Sequence, residues 1–205
     1  MTDVESMADH WWWRPGWQPG SRFLTWHLTF ENAPDVHRIA AEYRRILHGL
    51  PALDLVPDPW LHLTMQGLGF AQDVADGDVA AIVEAARLRL AHIPAFEISF
   101  DRPAVTPEAI RWEAAPGEPV AAVRSAIRAA IGDVWPEVPE RGDGFGPHIS
   151  IAYSSSDGPA APVLAAIGSV PSAPATARIT HADLILLNRD HRMYEWESVA
   201  SVQLG

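Results

Sequence analysis

Within residues 23–30, Leu24, Trp26, Leu28 and Phe30 alternate with Thr25, His27 and Thr29. A period of two with one apolar face predicts a half-buried strand. After the turn formers at 31–35 the period lengthens. Val36, Ile39, Ala40, Tyr43, Ile46 and Leu47 form one stripe, which predicts a helix ended by Gly49. Residues 51–59 read as a loop with a short extended piece at 53–56. Further strands are predicted at 60–70, 96–100, 110–113 and 147–153, and further helices at 78–91 and 118–131, with a short one at 162–167. Two strands, 177–187 and 193–202, close the chain around a turn at 188–191.

The order strand, helix, then a strand carrying His-x-Thr or His-x-Ser occurs twice. Phe23 and His62 lie 39 residues apart, Ile110 and His148 lie 38 apart. This predicts an α+β fold that is bilobal: two pseudo-duplicated lobes, each with an antiparallel sheet and helices, flanking a central cleft. Residues 21–205 are expected to form that single domain. Residues 1–20 are expected to be a Trp-rich arm, since Trp11, Trp12, Trp13 and Trp17 are four of the nine tryptophans. Such rings either pack on the domain or form a stacking wall for a flat ligand. The stretch 135–147, which ends on Pro147, is rich in turn formers, with Pro136, Pro139, Gly142, Gly144 and Gly146 before that end. A loop of that length in a compact domain is often functional.

Composition narrows the chemistry. With 205 residues, 48% of them hydrophobic, the chain can bury a full core. It has no cysteine, which removes disulfides, thiolate catalysis and Cys-ligated metals and agrees with a cytoplasmic setting. No run of about 18 apolar residues is present, so no membrane partner is expected. The acidic, polar start lacks the features of a secretory signal. The formal net charge is −11 and all 15 basic residues are dispersed arginines. A protein that tracks a long nucleic-acid backbone needs a basic stripe, so extended nucleic-acid binding is not expected. A small phosphorylated nucleotide or one RNA end is the expected partner; the oligomeric state is left open.

Residues i and i+2 of a strand face the same way. His62 therefore shares a face with Thr64, and His148 with Ser150. In-line displacement at phosphorus needs a base on the attacking oxygen and an acid on the leaving oxygen, on opposite sides. Two imidazoles from facing strands can hold those places, because imidazole is accessible in both protonation states near neutrality. The hydroxyls can donate to the non-bridging oxygens. The catalytic candidates are thus His62 and His148, and the phosphate-binding candidates Thr64 and Ser150. His27, Gln66 and Tyr153 are candidates for lining the cleft. His27-Leu28-Thr29 repeats the triplet but has no strand and helix before it, so His27 is not taken as catalytic.

The segment His62-Leu63-Thr64-Met65-Gln66-Gly67-Leu68-Gly69 resembles the first motif of the two-histidine (2H) phosphoesterase superfamily, and His148-Ile149-Ser150-Ile151-Ala152-Tyr153 resembles its second. That group includes 2′,5′ RNA ligases and cyclic nucleotide phosphodiesterases. The resemblance runs from about Arg22 to the C-terminus. It implies two α+β lobes around a cleft, His62 and His148 as general acid and base, Thr64 and Ser150 as phosphate holders, and no metal or other cofactor. Two positions depart from the pattern. Gly67 stands where the family has a large aromatic, which predicts a roomier cleft floor. Gln66 stands where a basic residue is common, which removes one contact to nucleic acid. The predicted activity is metal-independent hydrolysis or transesterification of a cyclic or 2′,5′-linked phosphodiester. Two rivals are a zinc hydrolase using His27, His62 and His148, and a non-catalytic module that binds a nucleotide in the same cleft.

Overall fold

The computed structural model describes residues 4–171 and 173–205. Among them are twelve strands and four helices: β1 (Ser6–Met7), β2 (Phe23–Thr29), α1 (Pro34–Leu47), β3 (Leu53–Leu55), β4 (His62–Phe70), α2 (Asp76–Leu90), β5 (Phe96–Phe100), β6 (Ala104–Val105), β7 (Ala109–Ala115), α3 (Gly117–Gly132), β8 (His148–Ser154), β9 (Gly158–Pro159), α4 (Ala161–Ser169), β10 (Ala175–Ile179), β11 (His181–Asn188) and β12 (Glu195–Gln203). The fold is α+β, with antiparallel sheets. Helix α1 begins two residues before its apolar stripe, at Pro34, whose missing N–H has no partner to lose in a first turn.

One sheet has the order β12-β11-β2-β4; the other runs β10-β5-β7-β8-β3, with β6 on β7. Helices α2 and α3 pack together and against β12 and β4, while α1 packs on β10, β3 and α4. The sheets are not successive halves of the chain. Strands β11 and β12 complete the sheet begun by β2 and β4, and β3 joins the other. The single strand expected at 177–187 is two strands in different sheets. Burial falls on Ala175, Ala177 and Ile179 and then on Ala182 and Leu184. The parity of the apolar face changes at Thr180, where the chain crosses over.

Each motif strand is the one its sheet turns toward the other, and β4 and β8 approach one another. Behind them lies the core. Trp26 on β2 and Trp112 on β7 are both fully buried. Truncating such a ring costs about 3–5 kcal/mol.

Both motif strands carry a β-bulge just after the hydroxyl residue. In the β2–β4 pairing, His27 faces Thr64 but Trp26 faces Gln66, so Met65 is the extra residue. In the β7–β8 pairing, Arg111 faces Ser150 but Ile110 faces Ala152, so Ile151 is the extra one. A bulge inverts the in/out alternation beyond it.

Candidate active site

His62, Thr64, His148 and Ser150 come together on the wall of one cavity of about 360 Å³, which His27 and Tyr153 also line. The two triplets are built alike. His62 Nδ1 lies 2.8 Å from the Trp60 carbonyl and His148 Nδ1 lies 2.8 Å from the Gly146 carbonyl, each two residues upstream. A carbonyl only accepts, so both Nδ1 atoms are donors. In the neutral rings Nε2 is then left as the acceptor. A 3₁₀ turn at Asp58–Trp60 aims the first carbonyl. The end of the Gly- and Pro-rich loop supplies the second.

The two imidazoles differ in their surroundings. His62 is 8% exposed, and burial pushes it down to about 4, against its bond to Trp60 and with the help of His148. His148 is half-buried. It too lies below the ordinary histidine value, through burial first and then Arg111, opposed by Gly146.

His27 is stacked on His62, centroids 4.4 Å apart and rings 5° from parallel. The antiparallel register sets His27 opposite Thr64 and Thr29 opposite His62, so the two His-Leu-Thr triplets face one another reversed. His27 Nε2 is 3.5 Å from Thr64 Oγ1, while its buried Nδ1 finds no partner among the described residues. Burial, then His62, holds His27 well below the usual histidine value. Lone pairs of an imidazole lie in the ring plane. A cation in the plane of one of these stacked rings is therefore out of the plane of the other. Among the described residues no group of three or more His, Asp or Glu is placed to hold a metal ion.

Gln66 is not on the cavity wall. It is fully buried, because the bulge at Met65 turns it to the other face. Its Nε2 donates to the Pro139 carbonyl at 2.6 Å and its Oε1 accepts from Arg128. It anchors the 135–147 loop. Arg124 does the same, donating to the Met65, Gly142 and Arg141 carbonyls. The floor at Gly67 is not roomier, either. A β-carbon there would lie 2.5 Å from Glu140 Oε1 and 2.9 Å from the Phe23 ring, so those two groups already occupy the space.

Tyr153 faces the cavity because the bulge at Ile151 reverses the alternation. It is 4% exposed, and its ring stacks on His10 with centroids 4.3 Å apart. His10 belongs to the Trp-rich segment, as do Arg14 and Trp17, which also line the cavity. Burial, then Arg14, pushes His10 down to about 4. Its neutral ring donates from Nδ1 to Glu108 at 3.1 Å and accepts at Nε2 from the Tyr194 hydroxyl at 2.9 Å. Arg14 donates to that hydroxyl and to Glu108. Arg189, 4% exposed, donates to the His10 and Trp12 carbonyls and lies over the rings of Trp11 and Trp17. Of the consecutive tryptophans, Trp11 is buried, whereas Trp12 and Trp13 are about half exposed.

Arg111 is the residue that motif reading passes over. It pairs with Ser150 across β7–β8, lines the cavity, and its buried Nε has no partner among the described residues. The alternation in 110–113 marks Arg111 as the polar position of a short strand. Only the pairing shows which strand it faces.

Among the described residues no helix is long and apolar enough to cross a membrane. A search of curated proteins finds no match. Solved structures with the same fold include TT0787 of Thermus thermophilus, at 16% identity and TM-score 0.68, covering 89% of this chain and 97% of that one. E. coli LigT complexed with 3′-AMP is similar at 16% identity and TM-score 0.65, covering 90% of this chain and 98% of that one. The family profile described as the 2′-5′ RNA ligase superfamily matches residues 32–191, a span that holds both His-x-Thr/Ser strands. This chain belongs to the 2′-5′ RNA ligase superfamily of 2H phosphoesterases.

Proposed function

We propose that the chain is a metal-independent phosphodiesterase acting on a cyclic or 2′,5′-linked phosphodiester in a small nucleotide or RNA end. The observation that carries this reading is the pair of triplets. Two imidazoles from different sheets share one cavity, each with Nδ1 tied to a carbonyl and each with a hydroxyl two residues on. LigT has been solved with 3′-AMP, ATP and NADP+, which supports a small nucleotide as the ligand class.

In hydrolysis, neutral His62 takes a proton from water through Nε2 as the water oxygen bonds to phosphorus. The opposite P–O bond breaks, and imidazolium His148 gives its proton to the departing ribose oxygen. Transesterification replaces water with a ribose hydroxyl. The drier His62 suits the base, since burial keeps it unprotonated. The more open His148 suits the acid, since the bound phosphodiester's negative charge favours its imidazolium. Thr64 and Ser150 donate to the non-bridging oxygens, and the Arg111 guanidinium balances the charge that builds there.

The direct test is turnover of 2′,3′-cyclic nucleotides and 2′,5′-linked dinucleotides in excess chelator. Wild-type protein is expected to be active; His62→Ala and His148→Ala, both folded, are expected to be inactive. Activity lost to chelator and restored by zinc would refute the mechanism. Tight binding of a cyclic nucleotide without turnover would identify a binding module instead.

A further inference from the structure

About 7 Å along β2 from His27, one end of the cavity is built from different chemistry. Here Thr25 pairs with Gly67, and Phe23 with Leu187. Glu140 Oε1 and the edge of the Phe23 ring sit side by side in the room that Gly67 leaves by lacking a β-carbon. Glu140 Oε2 is occupied, accepting the Gly67 N–H at 3.2 Å and the Gln66 amide at 3.3 Å. Oε1 accepts no hydrogen bond among the described residues. The Glu140 backbone has φ of 60°, a conformation that a residue with a β-carbon adopts at a cost. The bonds to its carboxylate and to the loop around it hold it there.

Flat apolar rings line the same cavity as Glu140. Trp17 packs 5.6 Å from Phe23 and 5.4 Å from Phe70 between ring centroids. It is set in place by Gly16, whose φ of 83° and close approach to the Phe70 ring leave no room for a side chain. All three of Trp17, Phe23 and Glu140 line the cavity that holds His62 and His148.

We propose that this end is a nucleobase subsite selecting guanine, with Phe23 and Trp17 as its walls and Glu140 Oε1 as the acceptor that reads the base edge. The proposal rests on the phosphodiesterase reading and names its substrate class. Guanine presents a ring N–H beside an exocyclic amine, two adjacent donors that a carboxylate oxygen can accept. Adenine and cytosine place a ring-nitrogen acceptor beside their amine, and uracil flanks its one N–H with two carbonyls. Each of these sets a lone pair against the carboxylate. The separation from Gly67 to Thr64 along β4, three residues or about 10 Å, is on the scale of one nucleoside reaching from base to phosphate.

Equilibrium binding of 3′-GMP, 3′-IMP, 3′-AMP, 3′-CMP and 3′-UMP to the full chain tests it. Wild-type protein is expected to bind 3′-GMP on the order of tenfold more tightly than 3′-AMP, 3′-CMP or 3′-UMP, the scale of a charge-assisted hydrogen bond. 3′-IMP, which keeps the ring N–H and lacks the amine, should fall between. Glu140→Gln should bring all five within about twofold, and Trp17→Leu should weaken all five. The 3′-IMP comparison needs no variant, so a loop loosened by Glu140→Gln leaves it intact. Equal affinities, no binding of 3′-GMP at millimolar concentration, or a guanine preference that survives in Glu140→Gln overturns the subsite. Guanine-selective binding without turnover leaves the subsite standing and removes the phosphodiesterase reading; turnover without base preference does the reverse.

Discussion

Strands β4 and β8 follow one plan and end in opposite places. Each starts with a histidine tied through Nδ1 to a carbonyl two residues back, presents a hydroxyl two residues on, and then takes a bulge. On β4 the bulge turns Gln66 into the interior, where it fastens the 135–147 loop. On β8 the bulge turns Tyr153 out onto the cavity wall, where it supports His10 of the N-terminal segment. His62 is buried and stacked on a second imidazole; His148 is half-buried beside a guanidinium. A pseudo-symmetric motif thus yields an asymmetric site, with one dry imidazole and one half-buried. Under the proposed mechanism, that asymmetry is what lets chemically identical side chains take different roles.

The largest expected effect tests the division of labour. His62→Ala and His148→Ala should each lower kcat on a ribose-leaving substrate by about 10³-fold or more. A p-nitrophenyl phosphodiester, whose leaving group needs no acid, should restore most of the loss in His148→Ala and little in His62→Ala. The opposite pattern would exchange the roles. Next, Thr64→Ala and Ser150→Ala should each cost about 10²-fold in kcat, the scale of one lost oxyanion donor. Unequal losses would show that one strand carries more of the phosphate.

The pH profile follows from the same contrast. A base must be unprotonated, so kcat/KM should fall as pH drops through about 4, the value to which His62 is pushed. An acid must be protonated, so kcat/KM should fall as pH rises through the value for His148, which lies below 6.5. The optimum for the free enzyme is therefore acidic, and an optimum on the alkaline side of neutrality contradicts the assignment. Stability has its own dependence. His10, His27 and His62 are all depressed in the folded chain from an ordinary value of 6.5. Their contribution is complete above pH 6.5 and is lost as pH falls toward 4, because the unfolded chain takes up protons first. The urea midpoint should drop between about pH 7 and pH 5.

The smallest effects separate the two bulges. Gln66→Ala removes one bond each from Arg128 and the Pro139 carbonyl, which keep the 3.2 Å bond to one another, and frees the loop from β4 at this point; it should destabilise by about 1–3 kcal/mol. Tyr153→Phe keeps the stack on His10 and should cost less than about 1 kcal/mol. Thermal unfolding of the two variants checks this. A larger loss in Tyr153→Phe would mean that the hydroxyl's bond to Ser150, more than the ring stack, carries the contribution of Tyr153.

The α+β class and the placement of His62, Thr64, His148 and Ser150 on single strand faces were legible from the alternation and the repeated triplet. Those are local properties. A strand's period of two puts i and i+2 together whatever the rest of the chain does, and the triplets lie upstream of the bulges. Gln66 and Tyr153 lie downstream of them, and there alternation misleads. The extra residue at Met65 or Ile151 is visible only against the strand it fails to pair with. The same limit hid the crossover at Thr180, Arg111 behind Ser150, and Glu140 in the space beside Gly67. Each depends on a partner remote in sequence or on a neighbouring sheet. By itself the sequence determined most of the longer strands, the triplets and an acidic, lysine-free composition. The tertiary structure decided what each side chain meets, because register and burial are properties of pairs.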